Sequence, residues 1–113
     1  MVAYTPERGD IVWMSFDPQV GHEHAGLRPA VILSPAAYNA RVGLALMCPI
    51  TSKSKGFLFE VPIPESLSEY VSGVILSDQV KSFDWRARRA QYIAALPGET
   101  LAVVTAKLLA ILE

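Results

Sequence analysis

Between positions 21 and 29 the chain reads Gly21-His22-Glu23-His24-Ala25-Gly26-Leu27-Arg28-Pro29, so two imidazoles, a carboxylate and a guanidinium fall within seven residues. Residues of these types can give and take a proton near neutral pH and hold an anion in a planar fork of donors. A metal site is the obvious rival. His22 and His24 flank one carboxylate, with no third cluster of ligands nearby in sequence. A structural transition-metal site needs three or four ligands in defined geometry, so none is expected here. Arg28 has a plainer reading too, as half of a structural ion pair at a strand start.

Two further segments carry polar chemistry. Pro49-Ile50-Thr51-Ser52-Lys53-Ser54-Lys55-Gly56 offers hydroxyls and ammonium groups, each a donor to a phosphate oxygen, although a soluble turn has the same composition. Gly73-Val74-Ile75-Leu76-Ser77-Asp78-Gln79-Val80-Lys81 sets the polar pair Asp78-Gln79 between apolar stretches. Just beyond it, Lys81, Arg86, Arg88 and Arg89 lie within nine residues and are opposed only by Asp84. These cations suit either a solvated face or a nucleic-acid backbone.

The elements that position these residues are mostly short strands. Ile11 to Phe16 is β-branched and aromatic, preceded by the turn signal Arg8-Gly9-Asp10, and reads as a strand covered on both faces. Ala30 to Leu33 and Leu44 to Cys48 are apolar runs of strand length. Phe57, Phe59, Val61 and Ile63 alternate with Leu58, Glu60 and Pro62, the pattern of a half-buried strand. Gly73 to Leu76, Val80 to Trp85 and Gln91 to Ala94 add three more candidates. The period then changes. Leu101, Val104, Leu108 and Ile111 recur at helical spacing, after Pro97 and Glu99 at a helix start. This stripe predicts a core-facing helix, and the extra apolar Val103 and Leu109 allow a subunit contact. Residues 19–27 and 51–56 are left as loops between strands, where rigid scaffolds usually carry function. The expected fold is mainly β with a C-terminal helix, a small β-barrel.

Bulk properties narrow the class. With 113 residues, 51% of them hydrophobic and 19% charged, the chain is expected to be one domain, residues 1–113, burying about two-thirds of its unfolded surface. The single cysteine, Cys48, excludes an internal disulfide and a cysteine zinc site. A net charge of −1 argues against a nonspecific polyanion binder but leaves room for a local basic patch. The first eight residues do not read as a signal peptide, and no apolar run approaches the roughly 20 residues that cross a bilayer. A cytoplasmic protein with no membrane association is expected.

Taken in order, Gly-His-Glu-His-Ala-Gly-Leu-Arg-Pro, Pro-Ile-Thr-Ser-Lys and Gly-Val-Ile-Leu-Ser-Asp-Gln-Val-Lys-Ser closely resemble the MazF/PemK family of toxin endoribonucleases. So do Arg8-Gly9-Asp10-Ile11-Val12-Trp13 and Phe16-Asp17-Pro18. The match runs from about Arg8 to the C-terminus, in the family's order and spacing. It implies a barrel of the SH3-like MazF/PemK/CcdB type, a homodimer, and a cognate antitoxin with an acidic extended tail. It also implies cleavage of single-stranded RNA (mRNA) at a short sequence, without a cofactor, and DNA binding through the antitoxin complex. Two positions depart from the pattern: Leu27 stands where the MazF branch commonly has histidine, and Leu76 where the PemK branch has arginine. Arg28 and Thr51 match the residues most widely shared, and His22 and Asp78 match the PemK branch.

Metal-free cleavage of RNA would use the substrate's own 2′-hydroxyl as nucleophile. Arg28 would stabilise charge on the phosphorane-like transition state, with Thr51 donating to the same phosphate. His22 or Glu23 could act as base or acid. Asp78 and Gln79 could orient catalytic groups or read bases. Ser52, Lys53, Lys55, Lys81 and Arg86 would hold the RNA. Two rivals remain: a non-catalytic, CcdB-like toxin aimed at a protein target, and a plain RNA-binding barrel.

Overall fold

The computed structural model describes residues 3–16 and 27–113. In chain order the elements are β1 (Asp10–Ser15), β2 (Leu27–Ile32), α1 (Ala36–Val42), β3 (Ala45–Thr51), β4 (Glu60–Pro62), β5 (Val74–Leu76), β6 (Lys81–Phe83), β7 (Gln91–Ala95) and α2 (Gly98–Leu112). A single 3₁₀ turn, Glu65–Leu67, lies between β4 and β5.

Every strand pair is antiparallel. The path runs β4-β5-β3-β2-β1-β7, and β6 also pairs with β3. The architecture is therefore mainly β with a C-terminal helix, as expected. The sheet is not closed into a full barrel: β4 and β7 end the path, and no pairing joins them among the described residues. β3 is its longest shared strand. One edge of it takes β6 at Ala45, Leu46 and Met47, and then β5 at Ile50 and Thr51.

Side-chain alternation fills both faces of the sheet. Ile11, Val31, Cys48 and Ile50 join one core with Val61, Ile75 and Leu96, and Val104 of α2 completes it. Val12, Met14, Ala30, Ile32, Ala45 and Met47 form a second core under Trp85. β1 thus sends Ile11 into one core and Val12 and Met14 into the other, while Trp13 is exposed.

The helix α1 is not evident from periodicity. It has only seven residues and one buried side chain, Asn39, so no apolar stripe announces it. Gly43 ends it in the left-handed conformation, φ 82°. Asn39 holds it in place: its Nδ2 donates to the carbonyl oxygens of Pro6 and Ser34, and its Oδ1 accepts from Ser34 Oγ at 2.5 Å. Trp85 Nε1 in turn donates to the Asn39 carbonyl at 3.0 Å. The N–H of Ala36, at the helix start, is capped from a distance by the Glu7 carboxylate at 2.8 Å.

Two readings of burial need correction. The alternation over residues 57–63 gives a strand only at Glu60–Pro62, and Phe57, expected inside, is 64% exposed. In α2, Val104 is buried and Leu101 and Leu108 are half-buried, but Ile111 is exposed together with Val103, Leu109 and Leu112. The inward stripe ends a turn early, and the apolar surplus lies on the outer surface. No described helix is long and apolar enough to cross a membrane.

Candidate nucleic-acid cleavage site

Two prolines create the site. β2 and β3 pair at Ile32 with Met47, Val31 with Cys48, and Ala30 with Pro49, where the ladder stops. Pro29 and Pro49 have no N–H, so neither can extend it by donating. Beyond that point β2 stays with β1 as far as Leu27 opposite Ser15, while β3 turns to β5 through Ile50 and Thr51. The strands diverge, and the opening between them is an open cavity of about 410 Å³ lined by Leu27, Arg28, Ile50, Thr51, Ser52 and Lys53.

Arg28 on β2 and Thr51 on β3 each lie two residues past the last β2–β3 pair, and both line the opening. Arg28 is exposed and Thr51 half-buried. Thr51 Oγ1 accepts the backbone N–H of Lys53 at 3.2 Å. A hydroxyl that accepts a bond there keeps its own proton available for an acceptor in the opening. The site therefore offers a guanidinium fork, a hydroxyl donor and the Lys53 ammonium to one anionic group.

Behind Thr51 stands Gly73, with φ 115°. A β-carbon at this position would overlap the Thr51 carbonyl oxygen and lie 2.8 Å from the Thr51 carbonyl carbon. Only glycine allows β5 to begin so close to the backbone that presents Thr51.

The loop after Thr51 is anchored by Glu60. Its Oε1 accepts Ser54 Oγ at 2.7 Å and the Gly56 N–H at 3.2 Å, and its Oε2 accepts the Lys55 N–H at 3.0 Å. The Ser54 hydroxyl, followed by the backbone donors, holds this carboxyl below the usual carboxylate range. Lys55 is exposed in the same loop but does not line the opening.

The remaining candidates are dispersed. His22 and Glu23 lie outside the described residues. Asp78 and Gln79 are exposed in the turn between β5 and β6, which crosses β3 at Cys48 rather than at Thr51. Cys48 Sγ–H reaches the Ser77 carbonyl at 3.8 Å, and burial, then the nearby Asp78 charge, pushes this thiol up to about 12. Cys48 is three residues from Thr51, about 10 Å along an extended strand. Lys81 is exposed on β6 opposite Met47. Arg86 is exposed and stacks on Trp85, its guanidinium carbon 4.5 Å from the ring centre. Its neighbour Arg88 lies 4.1 Å over Phe83 and donates from Nη1 to the Ser15 carbonyl, which brings this basic turn to the end of β1.

Sequence reasoning did not identify Gly73 or Glu60 as parts of the site. A glycine at a strand start is a signal for close backbone approach. Glu60 has no local signal, because its partners lie four to six residues back and are mostly main-chain groups.

Comparison with known proteins gives the geometry its setting. The chain is 46% identical over 105 residues to the endoribonuclease toxin MazF of Escherichia coli K12, an alignment covering 93% of this chain and 92% of that protein. The crystal structure of MazF from Deinococcus radiodurans (Form-I) matches with a TM-score of 0.87 and 51% identity, covering 97% of this chain and 98% of that one. A MazE–MazF structure from the same organism (Form-III) matches with a TM-score of 0.88 and 50% identity, over 96% and 97% of the two chains. Residues 7–112 match the family described as PemK-like, MazF-like toxin of type II toxin-antitoxin system, and to that family the chain belongs.

Proposed function

We propose that the protein is a toxin endoribonuclease that cleaves single-stranded RNA at a short sequence, with the substrate's 2′-hydroxyl attacking the adjacent phosphorus. The observation that carries this reading is the opening where β2 and β3 part, lined by both Arg28 and Thr51. The scissile phosphate sits in that opening. Arg28 binds two of its oxygens and neutralises the charge that grows in the transition state. Thr51 donates its free proton to the same group, and Ser52 and Lys53 hold the flanking backbone. Proton removal from the 2′-hydroxyl and protonation of the departing 5′-oxygen fall to His22, Glu23 and Asp78. Lys55, Gln79, Lys81 and Arg86 extend the RNA contact.

The whole chain acts as one toxin unit in the cytoplasm. It forms a homodimer, with the exposed apolar residues of α2 contributing contact area. An antitoxin with an extended acidic tail neutralises it. Relatives of this kind are solved as MazE–MazF complexes. A non-catalytic toxin or a plain RNA-binding barrel would not need a paired guanidinium and hydroxyl, so neither is favoured. The test is digestion of a long single-stranded RNA by the wild-type chain and by Arg28→Ala. Cutting by the first and not by the second supports the reading. A folded Arg28→Ala protein that cuts normally overturns it.

A further inference from the structure

Residues 52–56 are all exposed, so no packing fixes them. Hydrogen bonds, most of them to one side chain, restrain these residues instead. The Glu60 carboxylate takes Ser54 Oγ, the Lys55 N–H and the Gly56 N–H, and Gly56 N–H also reaches Ser54 Oγ at 3.3 Å. Gly56 supplies the turn with φ 70°. Just beyond, Lys107 of α2 donates to the Leu58 carbonyl at 2.8 Å. Glu60 belongs to β4, which pairs with β5, and β5 pairs with the end of β3 at Thr51. The two ends of the loop are therefore carried by one rigid three-strand unit.

This loop determines what Thr51 can do. The Lys53 N–H that orients the Thr51 hydroxyl belongs to the segment between β3 and the Glu60 anchor. Three bonds to one ionised acceptor restrain that segment more than bonds between neutral groups would. Resting on the nuclease reading above, we infer that Glu60 is a positioning residue for RNA cleavage, acting through the 52–56 loop on the Thr51 hydroxyl. It touches no substrate atom. Its removal lets Lys53 N–H leave Thr51 Oγ1, and the hydroxyl is no longer preorganised toward the phosphate. Misplacement of a reacting or stabilising group by about 1 Å can reduce rate by as much as ~100-fold.

The experiment is a double-mutant cycle with Glu60→Ala and Thr51→Ala. Cleavage of a short fluorescent RNA carrying one mapped cut site is followed with protein in excess, so that slow variants remain measurable. Melting curves establish that each variant is folded. Glu60→Ala is expected to lower the single-turnover rate constant about 10-fold or more, while the protein concentration that gives half the maximal rate changes little. Glu60→Gln falls between, because its amide oxygen still accepts while its NH₂ faces a donor. In the Thr51→Ala background the Glu60→Ala effect should vanish. If Glu60→Ala does not fold, Glu60→Gln and Ser54→Ala complete the same cycle. Effects that multiply independently would make Glu60 a loop anchor unconnected to chemistry and overturn the inference alone. A Thr51→Ala protein that cleaves at the wild-type rate would overturn the nuclease site reading as well.

Discussion

Gly73 lies so close to the Thr51 carbonyl group that no β-carbon fits between them. Its φ of 115° is also a conformation that side chains rarely adopt. Gly73→Ala must therefore move the strand that presents Thr51. We expect a loss of roughly 1–3 kcal/mol of stability from backbone strain, and more if the overlap is not relieved. Cleavage should fall further than RNA binding. A thermal melt and a kcat measurement on the same preparation test this, and wild-type values for both would refute the contact.

Arg28 is expected to act on the transition state more than on the bound substrate. Arg28→Ala should slow cleavage roughly 100- to 1,000-fold while RNA affinity changes much less. Arg28→Lys should recover only part of the rate, because a point charge does not reproduce the two-pronged donor. Equal activity of the lysine variant and the wild type would show that charge alone suffices.

How far the site could be read from residues alone depends on distance along the chain. Arg28 and Thr51 stood out in the sequence through the polar segments that hold them, and both line the opening where β2 and β3 part. The seven-residue α1 was not legible, since its one buried side chain is the polar Asn39. Phe57 and Leu58 look like strand residues by alternation, yet they are exposed where the chain turns toward Glu60. Gly73 and Glu60 act through backbone contacts that no side-chain pattern encodes. Val103 and Leu109 of α2 were read as allowing a subunit contact, and both are exposed.

Cys48 offers a pH-dependent check on the core. Its thiol is pushed up to about 12, chiefly by burial. An unfolded thiol ionises near ~8.5. The folded value lies above the unfolded one, so the associated stability is intact below about pH 8.5 and is lost as pH rises toward 12. Wild-type melting temperature should therefore fall more steeply between pH 8 and 10.5 than that of Cys48→Ala. A thiol reagent at pH 8 should label Cys48 only after denaturation. Rapid labelling of the native protein would contradict its burial.

Arg89 is the one non-glycine residue with positive φ, 58°, among those described. It is exposed, and its N–H closes a turn to the Arg86 carbonyl at 3.1 Å. Glycine relieves strain of about 1 kcal/mol at such a position, less the extra freedom it gives the unfolded chain. Arg89→Gly should thus raise the melting temperature by a few degrees. A lower melting temperature would mean that the arginine side chain stabilises the turn by more than its backbone strains it.

This fold is expected to break RNA by 2′-hydroxyl attack at the Arg28–Thr51 opening, with no metal ion in the chemistry. Digestion of a long single-stranded RNA in excess EDTA, followed by sequencing and chemical analysis of the new ends, tests it most directly. Cutting is expected to be undiminished, at one recurring short sequence, leaving 2′,3′-cyclic phosphate and 5′-hydroxyl ends. Activity lost in EDTA and restored by a divalent ion, or 3′-hydroxyl and 5′-phosphate ends, would contradict it.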